Sequence, residues 1–183
     1  MADPAASSGD TPRPGGGPVP LPWGHKYLVC PPSHFGVLYE INPWMHKEVR
    51  VDVDLAERQW HDMVANLKAA GAEVEEMAPV SGLPDLVFTA NAGLVDGPRF
   101  VVSRFRHQER RGEAKYDAEW FAAAGYEVLE ILAEPEICFE GAGDALPFGR
   151  SLVSGYRFRS DFKAHSLLAQ MLSIPVLSLE LVD

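Results

Sequence analysis

Ala70-Gly71-Ala72-Glu73-Val74-Glu75-Glu76-Met77 and Ala124-Gly125-Tyr126-Glu127-Val128-Leu129-Glu130-Ile131 follow one pattern twice. Each closes a helix on a small residue and a glycine, then opens a strand. Leu172-Ser173-Ile174-Pro175-Val176-Leu177-Ser178-Leu179 is a third, looser copy. The copies recur at intervals of about fifty residues, which is the signature of a repeated supersecondary module.

Working outward, each copy is preceded by an amphipathic segment. Before the first, Ala56, Trp60, Met63, Val64 and Leu67 recur at spacings of three and four, with Asp52 or Asp54 as N-cap and Gly71 at the C-terminal cap. Helices over 116–124 and 161–172 precede the second and third copies. Apolar strands are expected at 27–30, 100–103 and 152–156. The unit reads strand, strand, helix, strand, so the class is α/β with modules arranged around an axis. Residues 1–24 are rich in Pro, Gly, Ala and Ser. Such a segment buries too little to offset its ordering entropy, and a flexible tail is expected there, with the folded part over 25–183.

The chain has 183 residues, 46% of them apolar, and a net charge of −10. That allows one domain with a real core. The acidity disfavours nucleic acid and anionic membrane surfaces and suits a small cationic ligand. Two distant cysteines, Cys30 and Cys138, fit a reducing cytoplasm better than a disulfide scaffold. There is no membrane-length apolar run and no secretory h-region. The histidines lack metal-ligand spacing, so neither metal nor cofactor is expected. A homo-oligomer is compatible with the sequence.

The repeat also locates the chemistry. Pro84-Asp85-Leu86-Val87-Phe88-Thr89-Ala90-Asn91 follows the first copy and Phe139-Glu140-Gly141-Ala142-Gly143-Asp144 the second. Both read as apolar, strand-like runs interrupted by polar groups. Strand alternation would put 85, 87, 89 and 91 on one face, with an end or bend allowed at Thr89-Ala90. A carboxylate in such a run is costly without a cation or several donors. Two carboxylates and an amide suit a guanidinium, which is planar, always charged and a five-donor fork. An ordinary turn or ion-pair role competes for each of these residues singly. Arg104, Arg106, Arg110, Arg111, Arg157 and Arg159 form two basic segments; one or two suit a substrate carboxylate, and the rest a solvated face. Cys138 shares a strand face with Glu140 in this reading, but a lone cysteine in an apolar run is more often a buried hydrophobe than a nucleophile.

Asp85–Leu94, Ser103–Arg110, Phe139–Leu146, Gly155–Arg159 and Ile41-Asn42-Pro43-Trp44-Met45 together resemble the dimethylargininase and amidinotransferase family of the arginine deiminase superfamily. The pattern is most similar to the amidinohydrolase domain of the cyanobacterial type of arginine dihydrolase, over about residues 27–183. The resemblance implies a pentein-type five-bladed α/β propeller, about three of whose five modules would be present. It implies hydrolysis of arginine or an N-methylated arginine through a covalent cysteine intermediate, with a histidine as acid and base. By motif, Asp85 and the catalytic-set residue Glu140 hold the guanidinium, and Phe88 is an aromatic wall. Asn91 stands where arginine dihydrolases have Asn and dimethylargininases usually Asp. Asn42, Arg110 and Arg159 hold the amino-acid end. The family's histidine segment and nucleophile are not found here. The chain is therefore expected to be a fragment, inactive alone and prone to self-associate. An amidino-group transferase, or a non-catalytic binding module of the same fold, is the alternative.

Overall fold

The computed structural model describes residues 25–132 and 136–182, so the tail expected at 1–24 lies outside the described residues. Eleven-residue to seventeen-residue helices alternate with short strands. The first unit is β1 (Lys26–Val29), α1 (Val53–Ala69) and β2 (Glu73–Glu76). The second is β3 (Gly93–Asp96), β4 (Arg99–Val102), α2 (Glu113–Ala123) and β5 (Glu127–Leu129). The third is β6 (Ala145–Phe148), β7 (Ser151–Tyr156), α3 (Phe162–Leu172) and β8 (Val176–Glu180).

The repeat read from sequence is present in the topology. In the second and third units an antiparallel hairpin is followed, through the helix, by a parallel strand, giving sheets β3-β4-β5 and β6-β7-β8. The first sheet is the parallel pair β1-β2 alone. Asp52 is the N-cap of α1, its side chain accepting from the Leu55 amide at 2.9 Å. The repeated Ala-Gly has a specific geometry. Gly71 and Gly125 adopt φ of 91° and 89°. The amides of Ala72 and Tyr126 then return to the carbonyls of Leu67 and Phe121, both at 3.0 Å. This is the Schellman closure, which a residue with a Cβ enters at a penalty. In the looser third copy Ser173 takes the left-handed position, at φ 56°.

Helices lie between successive sheets. Trp120 and Tyr116 of α2 pack with Leu28 of β1 and Met77, while Phe121 stacks on Phe100 of β4 at 3.6 Å between ring centroids. Ala164, Leu168 and Leu172 of α3 share one buried cluster with Leu94 and Val101 of the second sheet and Leu152 of the third. Arg99 locks this junction by donating to the carbonyls of Met171 and Leu172, each at 3.0 Å. Among the described residues no helix is long and apolar enough to cross a membrane. Leu168 is fully buried at this junction. Leu168→Ala is expected to destabilise the fold by about 2–5 kcal/mol, through lost transfer energy and the cavity left behind. Urea denaturation checks this; a loss under about 1 kcal/mol would mean that α3 does not carry the junction.

Candidate functional site

The strand reading of residues 84–91 and 139–144 is corrected by the structure. Pro84–Val87, Thr89–Asn91 and Gly141–Gly143 are 3-10 turns. Proline explains the first, since it has no amide to give a ladder and its φ suits the opening of a helical turn. The Phe88 amide closes on the Asp85 carbonyl at 2.9 Å, and the Asn91 amide on the Phe88 carbonyl at 2.8 Å. Three residues per turn replaces the two-residue strand period. The residues brought together are accordingly 85, 88 and 91, not 85, 87, 89 and 91.

Arg110 is where they converge. It ends the turn Gln108–Arg110, just before α2, and its side chain is almost wholly buried. Its Nε lies 3.7 Å from Asp85 Oδ2. Its Nη1 donates to Asn91 Oδ1 at 3.4 Å, and its Nη2 to the Asp85 carbonyl at 3.3 Å. Its guanidinium carbon stands 4.5 Å from the Phe105 ring centre and 6.0 Å from that of Phe88. A bidentate fork to Glu113, at 2.9 and 2.7 Å, completes the set. Burial alone would lower the Arg110 pKa; the hydrogen bonds and charge of Glu113, with Asp85 and Glu140, hold it above the ordinary value. Burial, joined by the Asp85 and Glu140 charges, raises the Glu113 carboxyl against the pull of Arg110. The fork joins the two groups through short, charge-assisted hydrogen bonds.

Asn91 links the two halves. Its Nδ2 donates to the Glu140 carbonyl at 3.2 Å. The Glu140 segment is held by the Arg104–Phe139 bridge, with amide-to-carbonyl distances of 2.8 and 3.0 Å. Glu140 Oε1 accepts from the Arg106 amide at 3.2 Å, and Oε2 lies 3.9 Å from Arg159 Nε. The Glu140 amide donates to Ser160 Oγ at 3.0 Å, and Ser160 Oγ to Asp144 Oδ2 at 2.7 Å. Arg159 also pairs with Asp144. Gly141, at φ 62°, permits the close approach of this turn to β3. A Cβ there would stand 2.7 Å from the Gly93 carbonyl oxygen.

Asp85, Asn91, Arg110 and Glu140 are thus buried together. Phe88 and Arg159, both partly exposed, border them. Asn42 is not brought into this contact set; it is exposed, and its Oδ1 accepts from the Trp44 amide at 3.0 Å. Arg110, expected to hold the amino-acid end, bonds Glu113, Asn91 and the Asp85 carbonyl in this structure. Sequence reasoning missed Glu113 and Tyr39. The first was legible as an i,i+3 partner of Arg110. Tyr39 had no signal. Its hydroxyl is buried short of a full hydrogen bond, and burial, then the nearby Asp85 charge, pushes its ionisation up. Burial raises the thiols of Cys30, to about 11, and of Cys138, so neither is a poised thiolate. A groove of 510 Å³ along α1, lined by Gln59, Asp62, Met63, Asn66, Leu67 and Ala70, has no buried ionisable group and is not the candidate site.

The fold is a repeated α/β unit whose buried acidic residues gather around three turns. No family model matches the chain, but curated relatives do. It is 50% identical over 164 residues to the bifunctional arginine dihydrolase/ornithine cyclodeaminase AgrE of Nostoc sp., covering 86% of this chain and 22% of that protein. It is 41% identical over 162 residues to the N(G),N(G)-dimethylarginine dimethylaminohydrolase of Mycobacterium tuberculosis, covering 88% and 52%. The solved N-terminal domain of ArgZ, a cyanobacterial arginine dihydrolase, bound to substrate, aligns with a TM-score of 0.80 at 44% identity, covering 86% and 58%. A dimethylarginine dimethylaminohydrolase adduct at 18% identity, with a TM-score of 0.70 and coverage of 86% and 60%, shares the fold. By sequence and by fold the chain is a homologue of arginine dihydrolase and of dimethylarginine dimethylaminohydrolase. It spans about half or less of the length of these curated relatives, 52% of one and 22% of the other.

Asp117, on α2 one turn beyond Glu113, is buried with its Oδ2 lacking a hydrogen-bond partner. Burial first, then the Glu113 charge, pushes its carboxyl up to about 7, against the pull of Arg110. The folded pKa exceeds the unfolded value of roughly 3.9. The stability it contributes is therefore full below pH 4 or so and is lost as pH rises through about 7. Asp117→Asn should raise Tm by roughly 2–4 °C or more at pH 8 and by much less at pH 5. Equal effects at the two pH values would show that Asp117 does not titrate in this range.

Proposed function

We propose that this chain supplies the guanidinium-holding part of an enzyme that hydrolyses arginine or an N-methylated arginine. The observation that carries the reading is the pair Asp85 and Glu140. These carboxylates are 4% and 1% exposed, and Asn91 links their segments by donating to the Glu140 carbonyl and accepting from Arg110, the neighbour of Asp85. Neither has a short ion pair, the nearest cationic nitrogens being 3.7 and 3.9 Å away. A buried carboxylate left at such distances is suited to a further cation. A guanidinium meets both through charge-assisted hydrogen bonds, with the Phe88 ring as one wall.

Glu140 and Asp85 orient the planar cation so that its central carbon is open to attack. Asn91 fixes the separation of the two carboxylate segments and tunes which leaving group departs. Arg159, at 41% side-chain exposure, has room to take the substrate carboxylate, with Asn42 approaching from its loop. Arg110 adds at most an Nη1 donor to that end. The attacking thiol and acid–base histidine of this chemistry are not assigned to any described residue.

The finer architecture belongs to the same proposal, namely a five-module α/β propeller to which these units contribute. Internal equivalence supports it. Leu94, Val101 and Leu129 lie in register across the second sheet and pack with α3. Leu146, Val153 and Leu177 occupy the same register across the third sheet. There Leu146 and Leu177 are 60% and 56% exposed, as the face of a module awaiting the helix of the next would be.

In the intact protein, arginine or dimethylarginine should be turned over to ornithine or citrulline. Asp85→Asn and Glu140→Gln should each lower kcat/KM on the order of 100- to 1,000-fold while Tm holds. Arg159→Ala should weaken arginine far more than agmatine, which lacks the carboxylate. Asn91→Asp should change the ratio of ornithine to citrulline. Product assays with melts on the same variants check this. Unchanged kcat/KM in both carboxylate variants would falsify the assignment.

A further inference from the structure

We infer that Glu113 is a positioning residue that holds the Arg110 guanidinium off Asp85, and so keeps the Asp85 carboxylate available to an incoming guanidino cation. The ligand class rests on the proposed function above. The competition between the two carboxylates stands on geometry alone.

Arg110 has two buried carboxylates within reach. Glu113 takes its Nε at 2.9 Å and its Nη2 at 2.7 Å, in a planar fork. Asp85 Oδ2 is 3.7 Å from the same Nε, beyond hydrogen-bond distance. The order of preference comes from the chain. Glu113 opens α2 three residues after Arg110, so the helix start sets the fork. Asp85 sits on a separate turn. Nη1 is turned towards Asn91 Oδ1, and the face of the cation rests on Phe105. These contacts hold the guanidinium in one place.

The charge consequence follows. Arg110 and Glu113 cancel as a pair, so the negative charge of Asp85 is left over. Removing the Glu113 charge while keeping its shape leaves Arg110 with Asp85 as its nearest carboxylate, and with Glu140 as a second attraction. A shift of under 1 Å would close a hydrogen-bonded pair. Arg110 would then occupy the site that a substrate guanidinium needs. Loss of the fork thus acts as internal competition with ligand, and it strikes the cation end rather than the carboxylate end.

The test is Glu113→Gln in the intact protein, with two readouts. In its crystal structure the Arg110–Asp85 separation should fall from 3.7 Å to an ordinary hydrogen-bond length. Arg110 keeping its wild-type position would overturn the inference. In kinetics, KM for arginine and Ki for agmatine should rise by the same factor, roughly 10- to 100-fold, with kcat changed far less. A loss confined to arginine would instead mean that the fork serves the substrate carboxylate, and it too overturns the inference. Should the neutral side chain prevent folding, Glu113→Asp sets the charge one methylene back. Arg110 should then move part of the way and Ki rise by a smaller factor; an unmoved Arg110 with unchanged Ki overturns the inference equally. A wild-type protein that binds no guanidine would remove the functional reading, while the variant structures would still decide whether Glu113 holds Arg110 away from Asp85.

Discussion

Four carboxylates, Asp85, Glu113, Asp117 and Glu140, are withdrawn from water around one buried guanidinium, that of Arg110. Charges in such a setting are tolerated only when each meets an opposite charge or several donors. Arg110 can satisfy one carboxylate fully, and it satisfies Glu113. Asp117 responds by shifting its titration towards neutrality. Asp85 and Glu140 are left with long contacts and backbone donors. The constraint that shapes the site is this imbalance of buried charge, and it is resolved differently at each carboxylate.

The scaffold makes the imbalance tolerable by fixing the backbone around it. Two successive turns carry Asp85 and Asn91, Glu140 opens a third, and the Asn91 side chain joins them, accepting from Arg110 and donating to the Glu140 carbonyl. Gly141 lets the third of these turns approach β3 at Gly93 to a distance that a side chain would forbid. Behind them the second sheet, α3 and the third sheet form one apolar cluster. That cluster, through Leu94, Phe139 and Ala145, lies directly beside the turns. The rigid part and the electrostatically strained part are thus adjacent.

The α/β class, the three helices and the repeated Ala-Gly closure were legible in the sequence, because periodicity and capping are local. The site residues were legible in part. Polar groups in apolar runs marked 85, 91 and 140, but the runs were read as strands. Short apolar stretches do not distinguish a strand from a 3-10 turn, and Pro84 was the one residue that argued against a ladder. Asn42 lies outside this contact set, exposed, with its Oδ1 taken by the Trp44 amide. Arg110 was marked, but its partner was not.

By itself, then, the sequence determined the repeating unit, the presence of the three helices, the acidity and the residue types available for a guanidinium, while α2, expected over 116–124, opens already at Glu113. These follow from spacing, composition and local backbone preference. Only the tertiary structure decided which carboxylate claims Arg110, which are left waiting, and that residues 85, 88 and 91 share a site. The Glu113 fork and the 85, 88, 91 turns are local in the chain, but the approach of Arg110 to Asp85 and of Asn91 to Glu140 joins segments far apart in it. Electrostatic preference in a buried setting changes steeply with such distances, and no local pattern encodes them.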